Sequence, residues 1–180
     1  EEHPAYQWAK SQSELKPAIG HIGTHLDCYT AEPTKDTYEV DAVVFDCTET
    51  MPTAKQFEKS DLCGNAAGLY TCVLDFVGYG SDAYGKSDTF LTQESLDALL
   101  TRLPAFIVID AYGIGNHGEE HQRFDKQCEK QHCFVIENVL LPRETLSSLR
   151  RICIAVDLTS PSTGKCCQVW GEYVHEQYPL

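Results

Sequence analysis

Two short runs constrain the fold more than any other part of this chain. They are Ala105–Asp110 (A-F-I-V-I-D) and Cys133–Glu137 (C-F-V-I-E). Side chains alternate between the two faces of a strand, so consecutive apolar residues demand cover on both sides. Each run reads as a short buried strand. Between them, Gly113 and Gly115 mark a loop, and Glu119 to about Lys130 reads as a helix. Upstream, Thr92 is a helix N-cap with Ser95 three residues on. Leu96, Leu99, Leu100 and Leu103 follow at helical spacing, and Pro104 stops that run. Tyr38–Asp46 and Gly68–Phe76 read as further strands. Gly78–Asp88 reads as a loop, Arg143–Leu149 as a short helix, and Ile152–Leu158 and Cys167–Val174 as closing strands. The first 18 residues are polar and irregular, with aromatic anchors at Tyr6 and Trp8. This alternation predicts an α/β domain with a mixed sheet. At 180 residues, without repeat or linker, the chain is expected to form one domain over residues 1–180.

Charge narrows the function. With 27 acidic against 14 basic residues, the formal net charge is −13. That balance argues against binding nucleic acid or an anionic membrane, which needs clustered Lys and Arg. Arg143, Arg150 and Arg151 are the only local basic grouping, too small for such a patch. An acidic surface also repels anionic substrates unless a bound cation reverses the sign locally. The nine cysteines are odd in number and show no framework spacing. Several, such as Cys72 and Cys153, sit in apolar runs and read as small buried hydrophobes in a reducing cytosol. No apolar run approaches the ~20 residues that span a bilayer. The chain opens without a signal-peptide pattern, Glu1 reads as a trimmed or processed start, and the expected location is cytoplasmic.

Candidate chemistry begins at I-G-H-I-G-T-H-L-D-C-Y-T, residues 19–30, which carries His21, His25 and Asp27 at even separations. In an extended segment, or at a strand-to-loop transition, these three side chains converge. Imidazole nitrogen with carboxylate oxygen suits zinc, manganese or iron. Gly23 permits close backbone approach or an unusual turn. Spacing alone leaves open whether the three hold a metal or decorate a polar loop, and a metal needs further ligands from distant sequence. On the second helix, His121, Asp125 and Cys128 lie at i, i+4 and i+7, on one face. Glu137 ends an apolar strand, where an unpaired carboxylate is costly. A metal, a cation or a structural hydrogen-bond network would offset that cost. His117, Glu119 and Glu120 read as a solvated helix start.

Four segments together resemble the cyclase family of metal-dependent hydrolases, which includes bacterial kynurenine formamidase and isatin hydrolase. They are H-I-G-T-H-L-D, matching the family's H-x-G-T-H-x-D; the stretch D-F-V-G-Y-G-S-D-A-Y-G-K-S-D-T-F-L-T-Q-E-S-L-D-A-L-L; F-I-V-I-D-A-Y-G-I-G; and F-V-I-E-N-V-L-L, like the family's I-x-E-N-L. They fall in the family's order within residues 21–141. The resemblance implies a swivelling β/β/α fold, a homodimer or higher homo-oligomer, and one or two divalent metals, zinc or manganese. It makes His21, His25, Asp27 and Glu137 metal ligands. The family's further histidine ligand falls at Asp125, so either Asp125 or His121, one helical turn earlier, completes the set. The family pattern continues D-x-P-x-H, ending in its acid/base histidine. Here the continuation is D-C-Y-T-A, so Tyr29 replaces the proline and Ala31 the histidine. His117, His121, Cys28 and Tyr29 are the candidates to replace that proton carrier, with His121 and His117 taken as the catalytic pair.

The function so implied is hydrolysis of a small amide, an N-formyl aryl amine or a cyclic amide. A divalent metal would lower the pKa of water from about 15.7 toward ~7, and Tyr79 and Tyr84 would line an aromatic-accepting pocket. The rival reading is a metal-binding homologue without hydrolytic activity, acting as a ligand-binding or structural protein. A lyase reaction on the same scaffold is a third.

Overall fold

A computed structural model of the chain describes residues 7, 10–12, 18–60, 70–75, 78–82, 84, 90–116 and 118–173, with backbone alone at 70–72 and 75. Among these residues the strands are β1 (His25–Asp27), β2 (Thr37–Asp46), β3 (Tyr70–Asp75), β4 (Phe106–Ile109), β5 (Phe134–Glu137), β6 (Leu149–Val156) and β7 (Gly164–Tyr173). The helices are α1 (Ala54–Lys59), α2 (Gln93–Leu100), α3 (Glu119–Glu129) and α4 (Arg143–Leu146), and a 3-10 turn, Ile19–His21, precedes β1. Anchors expected at Tyr6 and Trp8 lie outside the described residues.

The two apolar runs pair with each other. β4 and β5 lie parallel, with Phe106 opposite Phe134 and Val108 opposite Ile136. The order is β1-β5-β4-β3-β2-β6-β7, and β7 pairs back onto β1, so the sheet closes on itself. Strands β2 to β5 run parallel where they meet, and every pairing of β1, β6 and β7 is antiparallel. This is the mixed α/β sheet that the alternation predicts.

Alternation along the strands divides the core in two. Ile107, Ile109 and Val135 pack with Leu96, Leu99, Phe124 and Cys128 of α2 and α3. Phe106, Val108, Phe134 and Ile136 take the opposite face and pack with Leu26, Val40, Ile152 and Ile154 within the closed sheet. Both faces of these strands are therefore covered.

Several ends differ from the sequence reading. The Thr92 cap forms, its Oγ1 accepting from the Ser95 N–H at 3.1 Å. The helix ends at Leu100, however, and the chain turns through Leu103 at φ 54°. Leu103 keeps the apolar spacing but is exposed, because no helical turn remains to carry it inward. The Arg143 helix is one turn long, and Leu149 already belongs to β6. α1 was not foreseen, although Thr53 and Gln56 form a capping box at its start. Of the cysteines with described side chains, Cys28, Cys47, Cys128, Cys133 and Cys167 are buried thiols, whereas Cys153 is only half-buried. Among the described residues, no helix is long and apolar enough to cross a membrane.

Candidate metal centre

Strand β1 is three residues long and fully buried, paired on both edges. Its His25 lies opposite Glu137 of β5. His25 and Asp27 stand two residues apart and so share a face. Register alone thus brings three donors together. Nε2 of His25 lies 3.7 Å from Asp27 Oδ1 and 3.6 Å from Glu137 Oε2.

His21 arrives by another route. It ends a 3-10 turn and is not part of an extended segment, so strand alternation does not explain its convergence. Its Nδ1 nevertheless reaches within 3.1 Å of Asp27 Oδ1 and 3.2 Å of His25 Nε2. Close backbone contact with β7 makes this possible: a Cβ on Gly164 would stand 2.8 Å from Cγ of His21.

Helix α3, packed on β5, delivers His121 and Asp125 one turn apart. His121 Nε2 lies 3.0 Å from Asp125 Oδ2, 3.2 Å from Glu137 Oε1 and 4.0 Å from Asp27 Oδ2. Gly113 gives the ring its space. Its φ is 86°, a Cβ there would sit 2.5 Å from His121 Nδ1, and its N–H donates to Glu137 Oε1 at 2.7 Å. Cys128, expected on the same helix face, packs into the core beside Phe124.

These donors form two adjoining groups, His21–His25–Asp27 and Asp27–His121–Asp125–Glu137, with ligating atoms within 4.8 Å of one another. Asp27 belongs to both. His21, His25, Asp27, Asp125, Glu137 and His121 are therefore brought together; His117 lies outside the described residues.

The electrostatics favour a cation here. Asp27, Asp125 and Glu137 are all buried, and the oxygens of Asp27 and Asp125 make no well-formed hydrogen bond. Three buried carboxylates crowded together repel one another, and a divalent ion bound by oxygen and imidazole offsets that repulsion. The donor set thus fits a divalent metal.

Without one, protons take up the strain. Burial, then the Asp27 charge, pushes the Glu137 carboxyl up to about 8. Burial raises Asp125 to about 6. Burial would raise Asp27 too, but contacts from His121 and His21 hold it well below the carboxylate range. For His121, burial acts downward, yet Glu137, Asp125 and Asp27 push its pKa well above the usual imidazole value. Burial lowers His25.

The other candidate proton carriers fare poorly. Burial raises the Cys28 thiol to about 12, and burial with the charge of Asp27 raises the Tyr29 phenol strongly. Tyr29 instead stacks on His21, with ring centroids 6.1 Å apart. Ala31 packs against the core inside the sheet.

Several site residues escaped the sequence reading. Glu129, buried, accepts from the N–H groups of Tyr29 and Thr30 at 2.6 Å each and of Ala31 at 3.0 Å, and from the Thr30 hydroxyl. It stands one turn beyond Asp125, and that helical spacing was the available signal. Asn138, at φ 58°, donates through Nδ2 to the Gly23 carbonyl at 3.2 Å and accepts from the Tyr84 hydroxyl at 2.5 Å. Tyr84 meets Tyr79 and Tyr112, with ring centroids 5.6 and 5.4 Å away. An aromatic group is thereby tied to the residue after Glu137.

No family model matches the chain, and no curated protein sequence does. Solved structures do. One, described as a potential metal-dependent hydrolase with cyclase activity, is 17% identical with a TM-score of 0.60, covering 83% of this chain and 77% of that one. A second, described as a "predicted metal-dependent hydrolase" from Bacillus stearothermophilus, is 18% identical with a TM-score of 0.59, covering 83% and 75%. A third, an isatin hydrolase bound to the product analogue thioisatinate, is 14% identical with a TM-score of 0.56, covering 85% and 73%. The chain shares the fold of these three structures. The same fold carries, in this chain, a buried cluster of residues able to hold a metal.

Proposed function

We propose that this protein is a metal-dependent hydrolase that cleaves the carbon–nitrogen bond of a small amide, an N-formyl aryl amine or a cyclic amide. One observation carries the reading: two groups of ligating side chains share the buried, hydrogen-bond-poor carboxylate of Asp27. His21, His25 and Asp27 would hold a divalent cation, zinc or manganese, with Asp125 and Glu137 extending the set. When bound, such a cation supplies an acidified water and a Lewis-acid contact for a carbonyl oxygen.

The chain's own residues do the rest. His121 Nε2, surrounded by three carboxylates, is the proton carrier in place of the absent side chain at Ala31. It donates to the departing amine nitrogen as the carbon–nitrogen bond breaks, while water supplies the oxygen of the acid product. Gly113 N–H fixes the Glu137 carboxylate, and Tyr79, Tyr84 and Tyr112 give an aromatic wall for an aryl substrate. The neighbour bound to thioisatinate supports that substrate class. A homodimer working in the cytoplasm is part of the same reading.

Metal content of chelator-free protein, with His25→Ala in parallel, is the test, followed by a screen of formamides and cyclic amides. Near-stoichiometric zinc or manganese lost in the variant, and turnover abolished in a metal-replete His121→Gln protein, is the expected result. Metal-free wild type that still turns over an amide sinks it. Ala31, which carries no proton, favours a second reading: a metal-binding homologue without hydrolysis. Metal uptake with no turnover across the screen would select it.

A further inference from the structure

The two histidines of the first group are held from behind by different partners. His25 Nδ1 lies 2.8 Å from the Gly23 carbonyl oxygen. A carbonyl only accepts, so Nδ1 carries the proton and Nε2 offers its lone pair to the cluster. His21 is turned the other way: Nδ1 faces the cluster, and Nε2 lies 2.9 Å from Thr163 Oγ1. The inward atoms, His21 Nδ1 and His25 Nε2, are 3.2 Å apart, and Asp27 Oδ1 lies 3.1 Å from the first. With its proton on Nδ1, His21 donates to Asp27; with the proton on Nε2, Nδ1 presents a lone pair beside that carboxylate oxygen, an arrangement that a bound cation stabilises.

The Thr163 hydroxyl can accept as well as donate, so it can take the Nε2–H of His21 when Nδ1 faces a cation. Thr163 stands just before β7, and its carbonyl accepts from the Cys28 N–H at 2.8 Å, which ties it to the end of β1. The neighbouring Ser162 Oγ accepts from the N–H groups of Gly20 and Gly164 at 3.2 Å each. The bend that offers the Thr163 hydroxyl therefore also holds the turn carrying His21.

We propose that Thr163 is the positioning residue of His21: its hydroxyl accepts the hydrogen bond from Nε2–H and makes Nδ1 the metal-facing nitrogen. This rests on the metal reading above. Partners behind a metal-ligating histidine commonly change affinity by about 10–100-fold.

The experiment uses the full chain and zinc ions alone, titrated against a chromophoric chelator, with Thr163→Val and Thr163→Ser compared. Nitrogen NMR of labelled histidine in the zinc-loaded wild type locates the His21 proton. The expected results are a loss of about 10–100-fold in zinc affinity for valine, near wild-type affinity for serine, and the proton on Nε2. A valine variant that binds zinc like wild type overturns the proposal, as does a loaded wild type with the proton on Nδ1. If the valine variant does not fold, the serine variant and the NMR measurement still decide it. Wild type that takes up no zinc overturns the metal reading and this proposal together. Zinc binding that is equal in wild type and the valine variant overturns this proposal alone.

Discussion

Replacing Glu129 by glutamine should destabilise the metal-free protein by about 2–3 kcal/mol. The carboxylate is 2% exposed and accepts four hydrogen bonds from the segment just after β1. Oε1 serves Tyr29 N–H alone, whereas Oε2 serves Thr30 N–H, Ala31 N–H and the Thr30 hydroxyl. Glutamine can keep its oxygen on the crowded side. Its amide NH2 then faces the Tyr29 N–H, donor against donor. One bond to a charged acceptor, about 1.5–3 kcal/mol, is lost outright, and the others weaken to neutral strength. Thr30 is exposed, so water relieves part of the loss and holds the total below the simple sum. Alanine removes all four bonds and should cost about 3–5 kcal/mol. Urea denaturation in the presence of a chelator, followed by circular dichroism, measures both. The glutamine variant should show a folding equilibrium constant reduced about 30- to 150-fold, with an unchanged denaturant slope. A glutamine variant within about 0.5 kcal/mol of wild type would refute the view that this carboxylate ties α3 to the end of β1.

Other expectations follow from the same cluster. Zinc affinity should rise with pH and level off above about 8, because the protons on Glu137 (about 8) and Asp125 (about 6) must leave before those oxygens can ligate. Titrations at pH 6 and pH 8 check this, and equal affinity at both would contradict it. Stability of the metal-free protein should run the opposite way between pH 6.5 and 8. Glu137 and His121 both have folded-state pKa values raised above their unfolded ones. Their contribution is complete below the unfolded values and is lost as pH climbs toward the folded ones. Gly113→Ala places a Cβ 2.5 Å from His121 Nδ1 at a φ of 86°. It should cost about 2–4 kcal/mol from the left-handed backbone and overpacking together, with weaker zinc binding. A variant as stable as wild type would mean that the His121 ring moves freely.

Much of the site could be read locally. His25 and Asp27 share a face because strand alternation needs no distant partner. Glu137 stood out because a carboxylate at the end of F-V-I-E has to find compensation. His21 joins them from the turn that leads into the strand, and strand alternation alone does not bring it there. That turn exists because Gly20 and Gly164 meet across the fold, and no local pattern encodes that meeting. Helical spacing does not separate Asp125 from His121, because both lie on the face that meets β5. The same spacing placed Cys128 there as well, whereas packing against α2 and β5 draws it into the core and leaves Glu129 at the edge of the site.

What the sequence by itself determined is the inventory: apolar runs that must become covered strands, and a set of imidazole and carboxylate donors. Strand and helix periodicity are local properties, and burial of consecutive apolar residues follows from hydration alone. Only the tertiary structure decided which donors share a space. Strand β1 is three residues long and cannot hold its own position; pairing with β5 on one edge and β7 on the other places it. Those pairings join residues more than a hundred positions apart, and they set His25 beside Glu137, His21 beside Thr163, and Asp27 where both groups of donors meet.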